Sequence, residues 1–532
     1  MADLAGSREL PKEEGAMRDL LNFGQMLSAH ARTSPQRTGA RDLERAMSFA
    51  LWNERACRLA NALLGLGLAK GDRVAILAYN CVEWCEIYAA TAKAGLVALP
   101  INFRLTAPEV QFIVQNAEAA AFIVQDELVG LVEETRGDLG IADDLFIHFG
   151  RRPRPAGYRG YEDIIAAASS GEPDQQVALS DPWTLMYTSG TTGKPKGVLR
   201  SHRSAVLLSM VTEIELKLSR NDGALLVMPM CHANSLNFFG AFGYIGGLNS
   251  IYSRKSFDPE HAVTTLADGG STFTSLVPTH YIMMLDLPRA VRALHDFSAI
   301  TKLMISSAPA RPETKREVME MFPKSGLYEL YGATETGWVT MLHPHEQFTK
   351  LGSVGRECVG AAPIRILDDA GNELPDGEAG ELYSSNAHTF DCYWRLPDKT
   401  RESFRGDYCS VGDMARRDAD GYIHLADRKS NMIISGGENI YPSEVEALVG
   451  AHPGVKDIAV IGLPDDKWGE RVHAVIVPRD GMTVKECELA DWAKERLAGF
   501  KRPRSYAFIT DGEMPRNATG KILHRELKKR FS

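Results

Sequence analysis

The sequence predicts an α/β protein with a smaller α+β domain at its C-terminal end, and three observations carry that prediction. Short β-branched runs alternate with helical segments from about residue 60 to residue 306, the rhythm of helices layered on a largely parallel sheet. After about residue 350 the runs are joined by Asp/Gly turns, which reads as antiparallel pairing. Beyond Asp427 the pattern becomes mixed again. At 532 residues the chain exceeds one ordinary domain, with room for roughly three or four units.

Taken in order, Arg73 to Ala78 is a strand and Glu83 to Lys93 a helix. Leu96 to Pro100 is the next strand, Pro108 to Asn116 a helix, and Ala121 to Val124 a third strand. The apolar run Trp183 to Met186 and the stretches Gly223 to Met228, Ser271 to Val277 and Lys302 to Ser306 repeat the rhythm. Ile364 to Leu374 and Gly380 to Ser384 form a small β-rich subdomain. Helices are expected at Ser443 to Val449 and Val484 to Leu497, with strands at Lys456 to Ile461 and Ala474 to Val477. The predicted organisation is an N-terminal domain over 1–426, of two layered α/β subdomains plus the β-rich one, and an α+β domain over 427–532.

Charged residues make up 24% and hydrophobic residues 44% of the chain, close to an average globular protein. The formal net charge of −9 argues against a nucleic-acid partner. The start stays charged to Arg18 with no apolar run behind a basic end, so no secretory signal is expected; the last residues are not a peroxisomal address. The eight cysteines are scattered without a C-x-x-C pair, which fits free thiols in a reducing cytoplasm. Ala224 to Ser253 contains no Asp, Glu, Lys or Arg. Pro229, His232, Asn234, Ser235 and Asn237 interrupt it, so no run approaches the ~18 apolar residues of a membrane span. Deep interior is predicted, and its glycines and polar tips suggest a pocket wall.

The strongest local signal is Tyr187-Thr-Ser-Gly-Thr-Thr-Gly-Lys-Pro-Lys-Gly197. Glycines permit a tight loop, hydroxyls and backbone N–H groups donate to an anion, and lysines add charge. It is not a Walker A loop, because Pro195 follows Gly193-Lys194. No G-x-S-x-G is present, which weighs against an α/β-hydrolase. Further along stand Tyr331-Gly-Ala-Thr-Glu-Thr-Gly337, Val411-Gly-Asp-Met414, Asp427-Arg-Lys-Ser-Asn-Met-Ile-Ile-Ser-Gly-Gly-Glu-Asn-Ile-Tyr-Pro442 and Pro515-Arg-Asn-Ala-Thr-Gly-Lys521.

In this order and over residues 187 to 521, these segments resemble the signatures of the adenylate-forming superfamily: acyl- and aryl-CoA ligases, luciferases and peptide-synthetase adenylation domains. The resemblance implies an ATP-dependent carboxylic acid–CoA ligase working through acyl-AMP, with a mobile C-terminal domain. ATP, Mg²⁺ and coenzyme A are the implied cofactors and co-substrates. By that resemblance Thr188, Ser189, Gly190, Thr191, Thr192 and Lys196 cradle the phosphates and Glu335 holds Mg²⁺. Thr334 and Gly332 lie at the α-phosphate and acyl wall, and Tyr331 offers a ring to adenine. Asp413 accepts from the ribose hydroxyls, Arg428 contacts ribose or phosphate, and Lys521 bridges the carboxylate and α-phosphate. Asp427 is the implied hinge. Lys521, Glu335, Thr188 and His232 form the catalytic set.

For the acceptor, Gly436 and Gly437 are expected to pass a pantetheine chain, with Trp468, Phe500, Arg502 and Arg504 meeting the nucleotide end of CoA. For the acid, His232 resembles the gate beside the acyl carbon, and Asn237, Phe238, Ser306, Gly332 and Trp338 line the pocket. Phe239, Gly240, Phe242 and Gly243 are expected to floor it. With no charge in this wall, a medium-chain, branched or aryl monocarboxylate is favoured over a dicarboxylate. Loading of a carrier protein and a non-catalytic nucleotide-binding role are the alternatives, and a homodimer is left open. Two departures from the common pattern stand out: Ser306-Ser-Ala-Pro309 replaces G-G-A-P, and Ser430-Asn431 replaces Lys-Asp.

Overall fold

The computed structural model describes residues 20–188, 195–268, 270–307, 310–429, 431–435, 438–517 and 520–532. Two large sheets dominate the N-terminal part. The first has a parallel centre of Arg73–Leu77, Val97–Ile101, Ala119–Gln125 and Phe146–Phe149, extended by Pro182–Thr188 and then by the antiparallel strands Lys196–Ser201 and Cys392–Tyr393. The second is parallel through Leu248–Ile251, Gly223–Leu226, Phe273–Leu276, Lys302–Ser306 and Gly326–Ala333, and closes with the antiparallel strand Gly337–Leu342.

Alternation along each strand sends neighbours to opposite layers. Val74 and Ile76 join the core shared with the second sheet, whereas Ala75 and Leu77 pack on the outer helix Ala107–Ala117. On the second sheet Met304 faces the shared core, while Leu303 and Ile305 meet the helices Pro259–Ala267, Pro278–Leu285 and Pro312–Met321. Helices Glu83–Ala94 and Ala233–Ile245 lie in the shared layer. Trp84 to Ala94 and Ser235 to Tyr244 are buried throughout, as helices covered on every side must be. The charge-free stretch is therefore interior, and among the described residues no helix is long and apolar enough to cross a membrane.

The expected β-rich subdomain is a four-stranded antiparallel sheet of Arg365–Leu367, Gly380–Tyr383, Asp413–Arg417 and Ile423–Arg428. The C-terminal part builds its own sheet, with the long hairpin Val455–Asp465 and Gly469–Pro478 at its centre. Helices Pro442–Val449 and Glu486–Arg496 cover a core containing Val445, Val460, Val472 and Leu489.

Candidate active site

The phosphate-binding segment joins two antiparallel strands. Thr188 ends the first and lies opposite Lys196, which opens the second; its hydroxyl donates to the Lys196 carbonyl at 3.5 Å. Ser189, Gly190, Thr191 and Thr192 lie outside the described residues. Burial lowers the pKa of Lys196, and the charge of Glu335 pulls it back up. The Lys196 Nζ stands 4.1 Å from the centre of the Tyr393 ring.

Glu335 comes from the hairpin between Gly326–Ala333 and Gly337–Leu342. Only glycine fits at position 332, since a Cβ there would lie 2.1 Å from the Gly337 carbonyl oxygen. Glu335 is buried, and its Oε1 accepts from the Tyr393 hydroxyl at 2.8 Å. Among the described residues no cluster of three or more His, Cys, Asp or Glu forms a metal cage. One oxygen donor beside a phosphate loop does fit Mg²⁺, a hard cation bound through one or two carboxylates plus substrate phosphates and water. The Thr334 carbonyl accepts from Arg200 at 3.4 Å. Arg200 is itself buried, with a pKa brought down to about 10 by desolvation, and also donates to Ser204 and to the His388 carbonyl. Neither Arg200 nor Tyr393 was legible as a site residue, because neither belongs to a motif.

Tyr331 differs from its expectation. Its ring is 9% exposed and packs with Val339, Val354 and Ile364, leaving little face for a base. Its hydroxyl donates to Asp413 Oδ2 at 2.7 Å, so it orients that carboxylate. Asp413 and Arg428 are direct partners across the strands Asp413–Arg417 and Ile423–Arg428, with Arg428 Nε 3.2 Å from Asp413 Oδ1.

Lys521, from the C-terminal part of the chain, lies within electrostatic range of Asp413 and Arg428. It keeps contact with solvent, yet surrounding protein lowers its pKa, with Arg428 repelling it and Asp413, Asp427 and Glu446 acting in the opposite sense. Asp427 ties the two domains. Its carboxylate accepts from the Ser443 backbone N–H at 3.0 Å and from Asn431 Nδ2 at 3.1 Å. The departure at Asn431 thus has a use, since an amide donates where a second carboxylate would repel. Ser430 lies outside the described residues.

His232 caps the helix Ala233–Ile245, and burial lowers its pKa to about 4, with Arg104 adding repulsion. Ser306 is buried and accepts from Asn234 Nδ2 at 2.9 Å. Ser307 has φ +69°, a left-handed conformation that favours glycine, which explains why G-G-A-P is the commoner sequence. Asn237 and Gly240 line a cavity of about 10 Å³ together with Thr184, Arg200 and Ser209, room for about one water. The Asn237 Nδ2 has no partner. Phe238 packs on Trp338 with ring centres 5.3 Å apart, so these two expected lining residues meet.

Phe239, Phe242 and Gly243 do not floor this wall. Phe239 packs on Phe23, Trp52 and Tyr88, and Phe242 packs on Phe273. A Cβ on Gly243 would meet Phe23 at 2.6 Å. The helical repeat turns Phe239 and Phe242 away from Asn237 and Gly240, while Gly243, three residues after Gly240, lies at the edge of that face and is closed off by Phe23.

On the C-terminal domain, Trp468 lies in the turn of the long hairpin with Arg504 over its ring at 4.5 Å. Phe500 is 38% exposed. Arg502 is partly committed, its Nε donating to the Leu497 carbonyl at 2.8 Å, where it satisfies the end of a helix. Gly436 and Gly437 lie outside the described residues.

Two layered α/β sheets, a small β-rich sheet and a separate C-terminal α+β sheet are the architecture of adenylate-forming enzymes. The chain belongs to the AMP-binding enzyme family, whose profile matches residues 27–394, with the AMP-binding enzyme C-terminal domain matching residues 444–521. Among curated relatives, a feruloyl-CoA synthase of Amycolatopsis sp is 35% identical over 94% of this chain and 97% of its own length. The crystal structure of the anthranilate CoA ligase AuaEII with anthranoyl-AMP superposes with a TM-score of 0.87 at 26% identity, covering 96% of this chain and 97% of that one. ATP-bound MatB from Rhodopseudomonas palustris gives 0.86 at 29% identity, covering 96% and 99%; the apo form of the same protein gives 0.74.

Proposed function

We propose that the chain is an AMP-forming acid–CoA ligase acting on a medium-chain, branched or aryl monocarboxylic acid. The observation that supports this reading is that Lys521 lies within electrostatic range of the paired Asp413 and Arg428, which come from a different part of the chain.

A free carboxylate resists a thiol because its carbon is electron-rich and oxide is a poor leaving group. In the first half-reaction the carboxylate oxygen attacks the α-phosphorus of ATP, and the bond to pyrophosphate breaks with its electron pair. The products are acyl-AMP and pyrophosphate. In the second half-reaction the CoA sulfur attacks the acyl carbon, and AMP leaves. Both reactants of the first step are anions, so the site must supply positive charge and oriented donors. Lys196 meets the outer phosphates and Lys521 spans the carboxylate and α-phosphate. Asp413, held by Tyr331 and Arg428, accepts from the ribose hydroxyls. Glu335 would hold Mg²⁺, which would neutralise charge on the phosphates. His232 stays neutral at the acyl end and shapes the entrance without adding charge. Asp427 is the hinge between domains 1–426 and 427–532. Once it turns, the Gly436-Gly437 segment guides pantetheine, and Trp468, Phe500 and Arg504 meet the nucleotide end of CoA. Arg502 adds what its helix contact leaves free.

The Phe238–Trp338 pair and the relatives named for feruloyl and anthranilate groups support the aryl end of the substrate range. The absence of Asp, Glu, Lys and Arg from Ala224 to Ser253 supports a single carboxylate on the acid. All eight cysteines are free, in keeping with a reducing cytoplasm. The deciding experiment offers purified protein a panel of carboxylic acids with ATP, Mg²⁺ and CoA. Acid-dependent pyrophosphate release and an acyl-CoA product identified by mass spectrometry are expected. No acid-dependent release from any member of the panel would overturn the ligase reading. Thioester formation on a carrier protein without free CoA would replace it with carrier loading.

A further inference from the structure

Two opposite charges of the phosphate site share one buried aromatic neighbour. Lys196 and Glu335 interact electrostatically, yet neither takes part in an ion pair among the described residues, and each touches Tyr393. The ring face of Tyr393 receives the Lys196 ammonium at 4.1 Å, and its hydroxyl donates to Glu335 Oε1 at 2.8 Å.

Local structure fixes this arrangement. The short strand Cys392–Tyr393 pairs with Lys196–Ser201, setting Tyr393 opposite Val198. Val198 shares its face of the strand with Lys196, two residues away, so the Tyr393 ring falls beside the lysine. The Tyr393 N–H donates to Thr400 Oγ1 at 3.0 Å, and the ring stands edge-on to Phe390 with centres 4.8 Å apart. The Phe390 N–H donates in turn to the Glu335 carbonyl at 2.7 Å. The segment 390–393 therefore grips Glu335 by backbone and side chain, and Tyr393 is only 3% exposed. Burial and the Glu335 charge raise the pKa of the phenol, which keeps its proton available as a donor.

Lysine and glutamate this close attract strongly away from water. A direct pair would place the ammonium on the carboxylate that a metal ion needs, and would turn the lysine from the phosphates. Tyrosine answers both problems at once. Its face holds the cation through the ring quadrupole, and its hydroxyl engages one carboxylate oxygen. Phenylalanine supplies only the first function, and serine only the second.

We propose that Tyr393 is a positioning residue for metal–nucleotide binding, holding Lys196 and Glu335 apart and presenting the remaining Glu335 oxygen to the divalent cation of a nucleoside triphosphate complex. The proposal rests on Glu335 as the metal ligand, but its test needs neither acid nor CoA. Failure of the acid panel and failure of this proposal are therefore separate results.

The test titrates Mn²⁺ into full-length protein holding a non-hydrolysable ATP analogue and reads free Mn²⁺ by electron paramagnetic resonance. Affinity for the analogue without metal is measured in parallel by calorimetry. Tyr393→Phe is expected to weaken Mn²⁺ binding about tenfold, the range for one hydrogen bond to a charged group, while metal-free analogue binding stays unchanged. Tyr393→Leu is expected to weaken both, because Lys196 then pairs with Glu335. In a Glu335→Gln background, Tyr393→Phe should add no further loss, since the two act as one unit. Native Mn²⁺ affinity in Tyr393→Phe, or full additivity with Glu335→Gln, would overturn the proposal. A Tyr393→Phe protein without a melting transition would overturn it too, by making the hydroxyl a folding requirement.

Discussion

His232, proposed for the acyl entrance, sits in an environment that refuses its charge. Its Nε2 has no hydrogen-bond partner among the described residues, and desolvation, reinforced by Arg104, takes its pKa from 6.5 to about 4. The imidazole is thus neutral across the working range and acts by shape rather than by charge. Linkage gives the sign of the pH effect. The unfolded chain takes up this proton near pH 6.5, whereas the folded chain declines it until about pH 4. Stability from this group is fully present above about pH 6.5 and is lost as pH falls towards 4. His232→Ala should lose that part of the acid dependence of Tm. It should also lower kcat/KM for the acid by about tenfold, the scale of roughly 1.4 kcal/mol in transition-state contact, with the same loss at pH 6.5 and pH 8. A loss confined to one side of neutrality would show that the proton on His232 matters to the reaction.

At the scale of elements, the helix Ala233–Ile245 separates what the sequence could express from what it could not. Its burial was readable from the absence of charge. Its faces were not, because a helix apolar all round has no polar stripe to orient it. Phenylalanine and glycine at helical spacing suited pocket and core equally, and the structure gives Phe239 and Gly243 to the packing around Phe23. Gly243→Ala should therefore cost about 1–3 kcal/mol by overpacking, measured by denaturant unfolding, with KM for the acid unchanged. Gly240→Ala meets only the Ser209 hydroxyl, at 3.2 Å, on the cavity side, so its effect should fall on KM instead. The reverse pattern would return Gly243 to the pocket. The alternating strands and helices were legible because each parallel strand is buried on both faces, as in Val97–Ile101. The Asp413–Arg428 pairing was half legible, both residues standing in motifs while their register stayed hidden until the hairpin formed. Tyr393 was illegible, since its two-residue strand has no periodicity and its importance arises only where Lys196 and Glu335 converge.

At the scale of the whole molecule, the proposed chemistry asks for two arrangements of the chain. It superposes better on ATP-bound MatB than on the apo form of that protein, at TM-scores of 0.86 and 0.74 over 96% of this chain in both cases. Lys521 agrees with this, because its electrostatic neighbours include Asp413 and Arg428 of the nucleotide site. At the junction the Asp427 carboxylate accepts from the N–H groups of Arg428 and Ser443 and from Asn431 Nδ2, and the Ser443 hydroxyl donates to the Ala426 carbonyl, a small set of bonds that the proposed domain rotation would exchange. A lysine that serves only one arrangement should matter to only one half-reaction. Lys521→Ala is expected to slow acid-dependent ATP–pyrophosphate exchange by at least about 10²–10³-fold, the typical loss for one electrostatic donor aimed at developing charge. Thioester formation from supplied acyl-AMP should keep close to its native rate, because the adenylate is already made and the domain can rotate away. Rapid-quench measurement of both steps on the same preparation checks this. Equal losses in the two steps would mean that Lys521 stays at the acyl phosphate throughout, and a rotating C-terminal domain would no longer be needed to explain the reaction.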